Sequence, residues 1–241
     1  MKAAIHQPHY FPWIGYFDKM AKSDVFVLLD QVQCVKRSQM LRNRIINTNG
    51  ELQYITITSD TNGFLEKEYR EIPAVDNDAW TKTHYNRLSS YYRNTVGYQE
   101  LMPILEKFYR NDYKTVCEWT VASVFLLKEI FEIDTKIIMQ SDVQYDHSNK
   151  KSDMIMAICQ SIGADIYFSG RGASVEYLNR KKFSENGITI IFQEFSHPIY
   201  HQRNTKSFIP GISSLDFLFN CGIEESRRIF WRNVRSTHEF N

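Results

Sequence analysis

The chain has 241 residues, 43% hydrophobic and 24% charged, and its 29 Lys and Arg against 28 Asp and Glu give a formal net charge of +1. That length can bury a large core, and the near-neutral balance gives no sign of a general nucleic-acid or membrane surface, while leaving peripheral membrane contact open. Aromatic residues make up 14% (16 Phe, 14 Tyr, 4 Trp), enough rings for a sugar or nucleobase pocket, although rings serve a plain core equally well.

In chain order, residues 3–6 read as a buried strand. Residues 14–22 have the helical spacing of an amphipathic segment, with Ile14, Phe17, Met20 and Ala21 apolar and Asp18, Lys19 and Lys22 polar. The apolar run 25–29, bounded by Asp24 and Asp30, fits a buried parallel strand, so the chain opens as a right-handed βαβ crossover. Asn47-Thr48-Asn49-Gly50 is a turn signal between Ile45-Ile46 and residues 52–58, which predicts a hairpin. Residues 60–77 read as irregular. Three helical segments follow (78–95, 98–110, 113–132), with Pro103 placed in the first turn of the second. The α/β rhythm then resumes: strand 136–139, helix 150–162 ending at Gly163, strand 165–168, a helical turn over 174–180, strand 188–192, a helix over 213–221 capped by Ser213 or Ser214, and a charged tail, 223–241, helical at first. The fold class expected is α/β: a mostly parallel sheet flanked by helices, one domain over 1–241, with 78–133 as a helical subdomain or insertion.

The four cysteines show no CxxC and no Cys/His metal spacing, so no metal site is expected and they read as reduced thiols. Cys34 is the only nucleophile candidate, because polar residues surround it. The single N-terminal Lys with its short apolar run does not make a signal peptide, and no apolar stretch reaches the roughly 20 residues of a membrane span. A cytoplasmic protein without an integral membrane segment and without nucleic-acid partners is expected.

Four clusters carry candidate chemistry. His6-Gln7-Pro8-His9-Tyr10 stands at a strand's carboxyl end, where α/β proteins build ligand sites. Its two imidazoles resemble the His-x-Gly-His pair of nucleotidylyltransferases, but Pro8 occupies the glycine position and has no N–H to offer a phosphate. Asp30, Gln33, Lys36, Arg42, Asn43 and Arg44 follow the second strand, and three cations so close to a strand-end Asp suggest a clamp for a diphosphate or carboxylate. Ser169-Gly170-Arg171-Gly172 is a glycine-rich turn after a buried strand, able to present N–H groups to an anion or simply to turn the chain. His197-Pro198-x-Tyr200-x-Gln202, with Asp216 downstream, completes the set as a possible pocket wall.

These blocks together resemble the WbqC-like family of bacterial surface-polysaccharide clusters, including that of the O-antigen of lipopolysaccharide. The resemblance rests on His-Gln-Pro-x-Tyr-x-Pro-Trp-x-Gly-Tyr-Phe at His6 to Phe17, the Ser-Asp-x-Phe-Val-x-Leu-Asp-x-Val-Gln block at Ser23 to Gln33, and Arg-Asn-Arg-Ile at 42–45. It continues with Trp80-x-Lys82-x-His84, Tyr167 to Gly170, His197 to Gln202, Ser213 to Asp216 and Phe219-Asn220-x-Gly222. The chain departs from the family pattern at Cys34 and at Gln39-Met40, which leaves local pocket shape open. The resemblance implies a sugar-modifying transferase without supplying a mechanism.

The functional expectation is a transferase that moves an aminoacyl or acyl group, of the glycine type, to an amino sugar or nucleotide-linked amino sugar. His6, Asp30 and His197 are the candidate bases. Gln7, Tyr10, Trp13, Tyr16, Gln33, Lys36, Arg42, Asn43, Arg44, Ser169, Gly170, Tyr200, Gln202 and Asp216 are the candidate substrate contacts. The alternatives are an ATP-dependent adenylate-forming or nucleotidylyltransferase-like enzyme, and a non-catalytic binding or assembly protein of the same pathway. The expected partner is a small molecule, either a nucleotide sugar or an activated acyl donor. No permanently bound cofactor is expected, and the sequence is compatible with a monomer or a homo-oligomer.

Overall fold

The structure, a computed structural model, describes residues 1–60, 62–64, 66–172 and 174–236, so the last five residues of the tail lie outside the described residues. The chain begins with β1 (Lys2–His6), α1 (Ile14–Ala21) and β2 (Val25–Leu28), then the hairpin strands β3 (Arg42–Ile46) and β4 (Leu52–Thr56). Three helices follow: α2 (Asn77–Tyr92), α3 (Tyr98–Tyr109) and α4 (Val116–Ile130). The remainder is β5 (Lys136–Met139), α5 (Lys151–Ser161), β6 (Ile166–Ser169), α6 (Ser174–Tyr177), α7 (Arg180–Glu185), β7 (Thr189–Phe192), α8 (Ser214–Cys221) and α9 (Ile223–Ser236).

Five strands form one sheet in the order β5-β2-β1-β6-β7, and every neighbouring pair is parallel. β3 and β4 pair separately as an antiparallel hairpin. The chain steps outward from β1 through β2 to β5, then returns to lay β6 and β7 on β1's other side. The direction of winding therefore reverses between β1 and β6, and in such sheets a crevice opens there at the carboxyl ends of the strands.

Strand alternation sorts the apolar residues onto two faces. Ala4, Phe26, Leu28 and Phe168 join a core with Phe17 of α1, Leu127 of α4, Phe217 of α8 and Phe230 of α9. Ala3, Ile5, Val25, Val27 and Tyr167 join a second core with Ile155 and Ile158 of α5 and Phe183 of α7. Each large side chain so buried contributes on the order of 2 kcal/mol. Leu88, Leu101 and Leu105 of the central helices belong to the first of these cores.

Two local expectations need correction. Pro103 lies in the second turn of α3, not the first, because the helix starts at Tyr98 after Gly97, whose N–H bonds the Phe219 carbonyl at 2.8 Å. A Cβ at Gly97 would sit 2.2 Å from the Leu218 carbonyl, so only glycine lets α3 begin against α8. α7 was not expected; the Asn179 side chain caps it by accepting from the Lys182 N–H at 3.1 Å.

Candidate active site at the reversal of the sheet

The loop between β1 and α1 is fastened on several sides. Tyr10 N–H bonds the Gln39 carbonyl at 2.8 Å, and Phe11 N–H bonds Ser123 Oγ at 2.9 Å. The Phe11 carbonyl accepts from Asn43 Nδ2 at 2.8 Å and from Ser213 Oγ at 2.9 Å. Phe11 has φ of 41°, a left-handed conformation unfavourable for a bulky residue, and these bonds over-determine it. The turn delivers Trp13 to the start of α1. A Cβ at Gly15 would lie 2.3 Å from the Trp13 indole, so that ring rests directly on the glycine. Trp13 also meets Phe195 edge-on at 5.2 Å and stacks on His197 at 6.3 Å.

Two cavities open where the winding reverses. The smaller, of about 300 Å3, is bounded by Gln7, Tyr167, Ser169, Ser174 and Tyr177. The larger, of about 660 Å3, is bounded by His9, Trp13, Tyr16, Gln39, Gln193 and Phe195, with the Arg171–Glu194 ion pair (2.5 Å) on its wall. Both are lined by His6, Lys19, Gly170 and Gly172.

The shared residues define the chemistry available. His6 Nδ1–H donates to the Gln7 carbonyl at 2.9 Å, an assignment that leaves the Nε2 lone pair as acceptor. Burial, then the nearby His9 and Lys19, push His6 well below its ordinary range, so its imidazole is neutral at pH 7. Its ring lies edge-on to His9 at 4.6 Å and to Tyr16 at 5.0 Å. His9 is lowered to about 3 by burial and then by Lys19, and its Nδ1 is buried without a hydrogen-bond partner. Lys19 is 3% exposed, donates from Nζ to the Ile5 carbonyl at 2.9 Å, and is brought down to about 7 by burial. The adjacent Asp18 carboxylate pairs with Lys22 at 2.7 Å and accepts from Gln193 Nε2 at 2.8 Å.

Thus His6, Gln7, Trp13, Tyr16, Ser169 and Gly170 of the expected set surround one pair of cavities. Lys19 was not anticipated, because its spacing reads as the polar face of α1. The available signal was that Asp18 and Lys22, four apart, can pair with each other and leave Lys19 without a carboxylate.

The other candidates go elsewhere. Tyr10 is fully buried, with its hydroxyl 3.1 Å from His84 Nδ1 and 3.2 Å from Tyr109 OH, so it packs the core instead of facing a ligand. His84 Nε2 accepts the Thr56 N–H at 3.0 Å, which fixes Nδ1 as the protonated nitrogen. Asp30 accepts the Ser141 N–H at 3.0 Å, tying β2 to the end of β5, and lines neither cavity.

The expected cationic clamp does not assemble. Alternation along β3 turns Asn43 inward, to hold the loop, and Arg42 and Arg44 the other way. Arg42 stacks on Tyr54 at 4.0 Å, and Arg44 donates to the Gly211 carbonyl at 3.0 Å. Lys36 lies over the Phe64 ring at 5.3 Å, and Gln33 is exposed in a bridge with Glu68. His197 donates to the Pro198 carbonyl at 3.0 Å and is lowered by burial; it backs Trp13 but lines neither cavity.

Tyr200, Gln202 and Asp216 form a closed buried hub. Asp216 accepts from Tyr92 OH and Tyr200 OH, each at 2.8 Å, and from Gln202 Nε2 at 3.2 Å. Burial raises this carboxyl while these hydrogen bonds oppose the rise. Cys34 is also buried, and its thiol is pushed up to about 12, so it is no nucleophile at neutral pH. Of the two departures from the family pattern, Gln39 touches a cavity and Cys34 does not.

Among the described residues, no group of three or more His, Cys, Asp or Glu is placed to hold a metal ion, and no helix is long and apolar enough to cross a membrane. No solved structure matches the chain. A protein of Mycobacterium tuberculosis described as "Uncharacterized protein Rv1507c" is 30% identical over 226 residues, covering 92% of this chain and 95% of its own length. The WbqC-like protein family matches residues 7–228, which take in the cavity-lining residues from Gln7 to Ser196 and the Asp216 hub; the chain belongs to that family.

Proposed function

We propose that this chain transfers an acyl or aminoacyl group, of the glycine type, to the amine of an amino sugar or nucleotide-linked amino sugar in the synthesis of a bacterial surface glycan. The observation that carries this reading is the meeting of two cavities at His6, Lys19, Gly170 and Gly172. Group transfer needs two substrates held with their reacting atoms adjacent, and two cavities with one shared wall provide that. Trp13 offers a face for a sugar or base in the larger cavity, with the buried Tyr16 packed behind the two imidazoles. His6 Nε2, fixed by the Gln7 carbonyl, accepts a hydrogen bond from the incoming amine and orients it. The wall it shares with the smaller cavity then faces the acyl donor. The family's link to glycan clusters supports the choice of an amino sugar as acceptor.

A thermal-shift series tests this reading, with UDP-glucosamine, ATP, acetyl-CoA and glycine added separately. A ligand that binds the folded state at about a hundred times its Kd adds about 2.7 kcal/mol of stability. UDP-glucosamine is expected to raise Tm. ATP alone raising it would favour an adenylate-forming enzyme, for which the open Cβ directions at Gly170 and Gly172 leave room for a phosphate against the backbone. UDP-glucosamine binding with no transfer from any activated donor would leave a binding or assembly protein.

A further inference from the structure

We propose that Lys19 is the proton acceptor in this transfer, receiving the proton from the acceptor nitrogen at the point where the two cavities meet. The inference rests on the transferase reading above and adds a catalytic residue to it.

The geometry carries the assignment. Nζ of Lys19 is held at the carboxyl end of β1 by the Ile5 carbonyl at 2.9 Å, and Lys19 lines both cavities. Among the described residues no carboxylate forms an ion pair with it, since Asp18 on the same helix pairs with Lys22. The groups around it are His6 at the end of β1 and His9 in the loop after it, Tyr16 and the Asp18–Lys22 pair on α1, Tyr167 on β6, Tyr177 on α6 and the Arg171–Glu194 ion pair on the wall of the larger cavity. None of these supplies a negative charge free to hold Lys19 permanently protonated. Its Nζ also lies 5.9 Å from the centre of the Phe26 ring, whose face accepts a transient ammonium.

The neighbouring imidazoles are poor alternatives. Burial holds His6 and His9 so far down that neither retains a proton near neutrality, whereas Lys19, at about 7, both takes and releases one there. In the step itself, the acceptor enters as a free amine and its lone pair forms a C–N bond to the carbonyl carbon of an activated acyl donor, a thioester or acyl phosphate. Neutral Nζ takes the proton from that nitrogen. The bond from carbon to sulfur or phosphate oxygen breaks with its electron pair on the leaving group, and the Lys19 ammonium returns the proton to it. The products are an amide and a protonated thiol or phosphate, so atoms and charge balance.

Trace acetylation of the full chain with isotopic acetic anhydride, from roughly pH 5 to 11, reads each lysine by peptide mass spectrometry, with exposed lysines half-labelled near pH 10.4 as internal standards. Lys19 is expected to half-label near pH 7, and UDP-glucosamine is expected to slow its labelling about tenfold while leaving exposed lysines unchanged. A midpoint above pH 9, or no labelling at any pH, overturns the proposal, since an amine that a two-carbon reagent cannot reach cannot serve a substrate. A near-neutral midpoint without protection, when UDP-glucosamine raises Tm, overturns it as well, because the sugar then binds elsewhere. A high midpoint or absent labelling leaves the transferase reading standing, whereas binding without protection also takes its acceptor out of the paired cavities. If no nucleotide sugar shifts Tm, that reading fails and the role of Lys19 falls with it.

Discussion

The cleft around His6 and the hub around Asp216 both gather buried polar side chains and Tyr rings, and both lie in sequence blocks that read as functional. The hub is closed: three donors converge on one buried carboxylate, and the Tyr92 hydroxyl also accepts the Ile46 N–H at 3.1 Å. The cleft is open: His6 Nε2 is left as an acceptor, His9 Nδ1 has no partner, and two cavities reach Lys19. Polar groups satisfied by their own chain stabilise it, whereas polar groups left with spare capacity beside a cavity are available to a ligand.

The largest expected effect lies in the hub. Asp216→Ala strands three buried donors and is expected to cost about 3–5 kcal/mol in urea unfolding. His6→Gln in the open cleft is expected to cost less than about 1 kcal/mol while abolishing the Tm rise given by UDP-glucosamine. If both substitutions cost stability equally, the distinction between the two regions is broken.

Acid sharpens the comparison next. His9 in the cleft and His84 in the core are both lowered to about 3, against 6.5 for an unfolded histidine. Between pH 6.5 and 3 the unfolded chain therefore binds more protons than the folded one, so stability falls as pH falls, by up to about 1.4 kcal/mol per pH unit for each group. Lys19 acts in the same direction higher up: from about 7 to 10.5, stability rises with pH. Urea midpoints measured across pH check both windows. Burial lowers His6 as well, so His9→Gln is expected to remove roughly a third of the combined contribution of His6, His9 and His84 to the acid slope.

Gly15→Ala comes third. Its Cβ must displace the Trp13 indole, for an expected cost of about 1–3 kcal/mol and loss of the UDP-glucosamine shift. The smallest effects are expected at Lys36→Ala and Arg42→Ala, each within about 0.5 kcal/mol in urea unfolding and without change in the UDP-glucosamine shift. A large loss of binding there would restore the cationic clamp that the sequence suggests and the structure does not assemble.

Much of the fold was legible because it follows from local periodicity. The opening crossover, the Asn47 to Gly50 hairpin and the three central helices lie within a few residues of their expected bounds. The start of α3 at Tyr98 was legible as well, and only the turn assigned to Pro103 was wrong, because Pro103 is the sixth residue of that helix. The cleft was half legible: strand-end position drew attention to His6, Gln7, Ser169 and Gly170, and a turn of helix brought Trp13 and Tyr16. Tyr10, Asn43 and Asp216 share the same motifs but were recruited to fasten the loop or fill the core. Motif membership does not separate a ligand contact from a fastening. Lys19 was hidden because a helix's polar face is normally solvated, and only the packing of β1, β6 and the loop over α1 buries it.

Hydrogen exchange of the full chain with and without saturating UDP-glucosamine tests the placement of the site most directly. The expected result is slowed exchange confined to residues 6–16, 169–172 and 193–196, with the hub at 200–216 unchanged. Protection centred on 200–216 or on 36–44, with residues 6–16 unaffected, would contradict the placement of the ligand site at the reversal between β1 and β6.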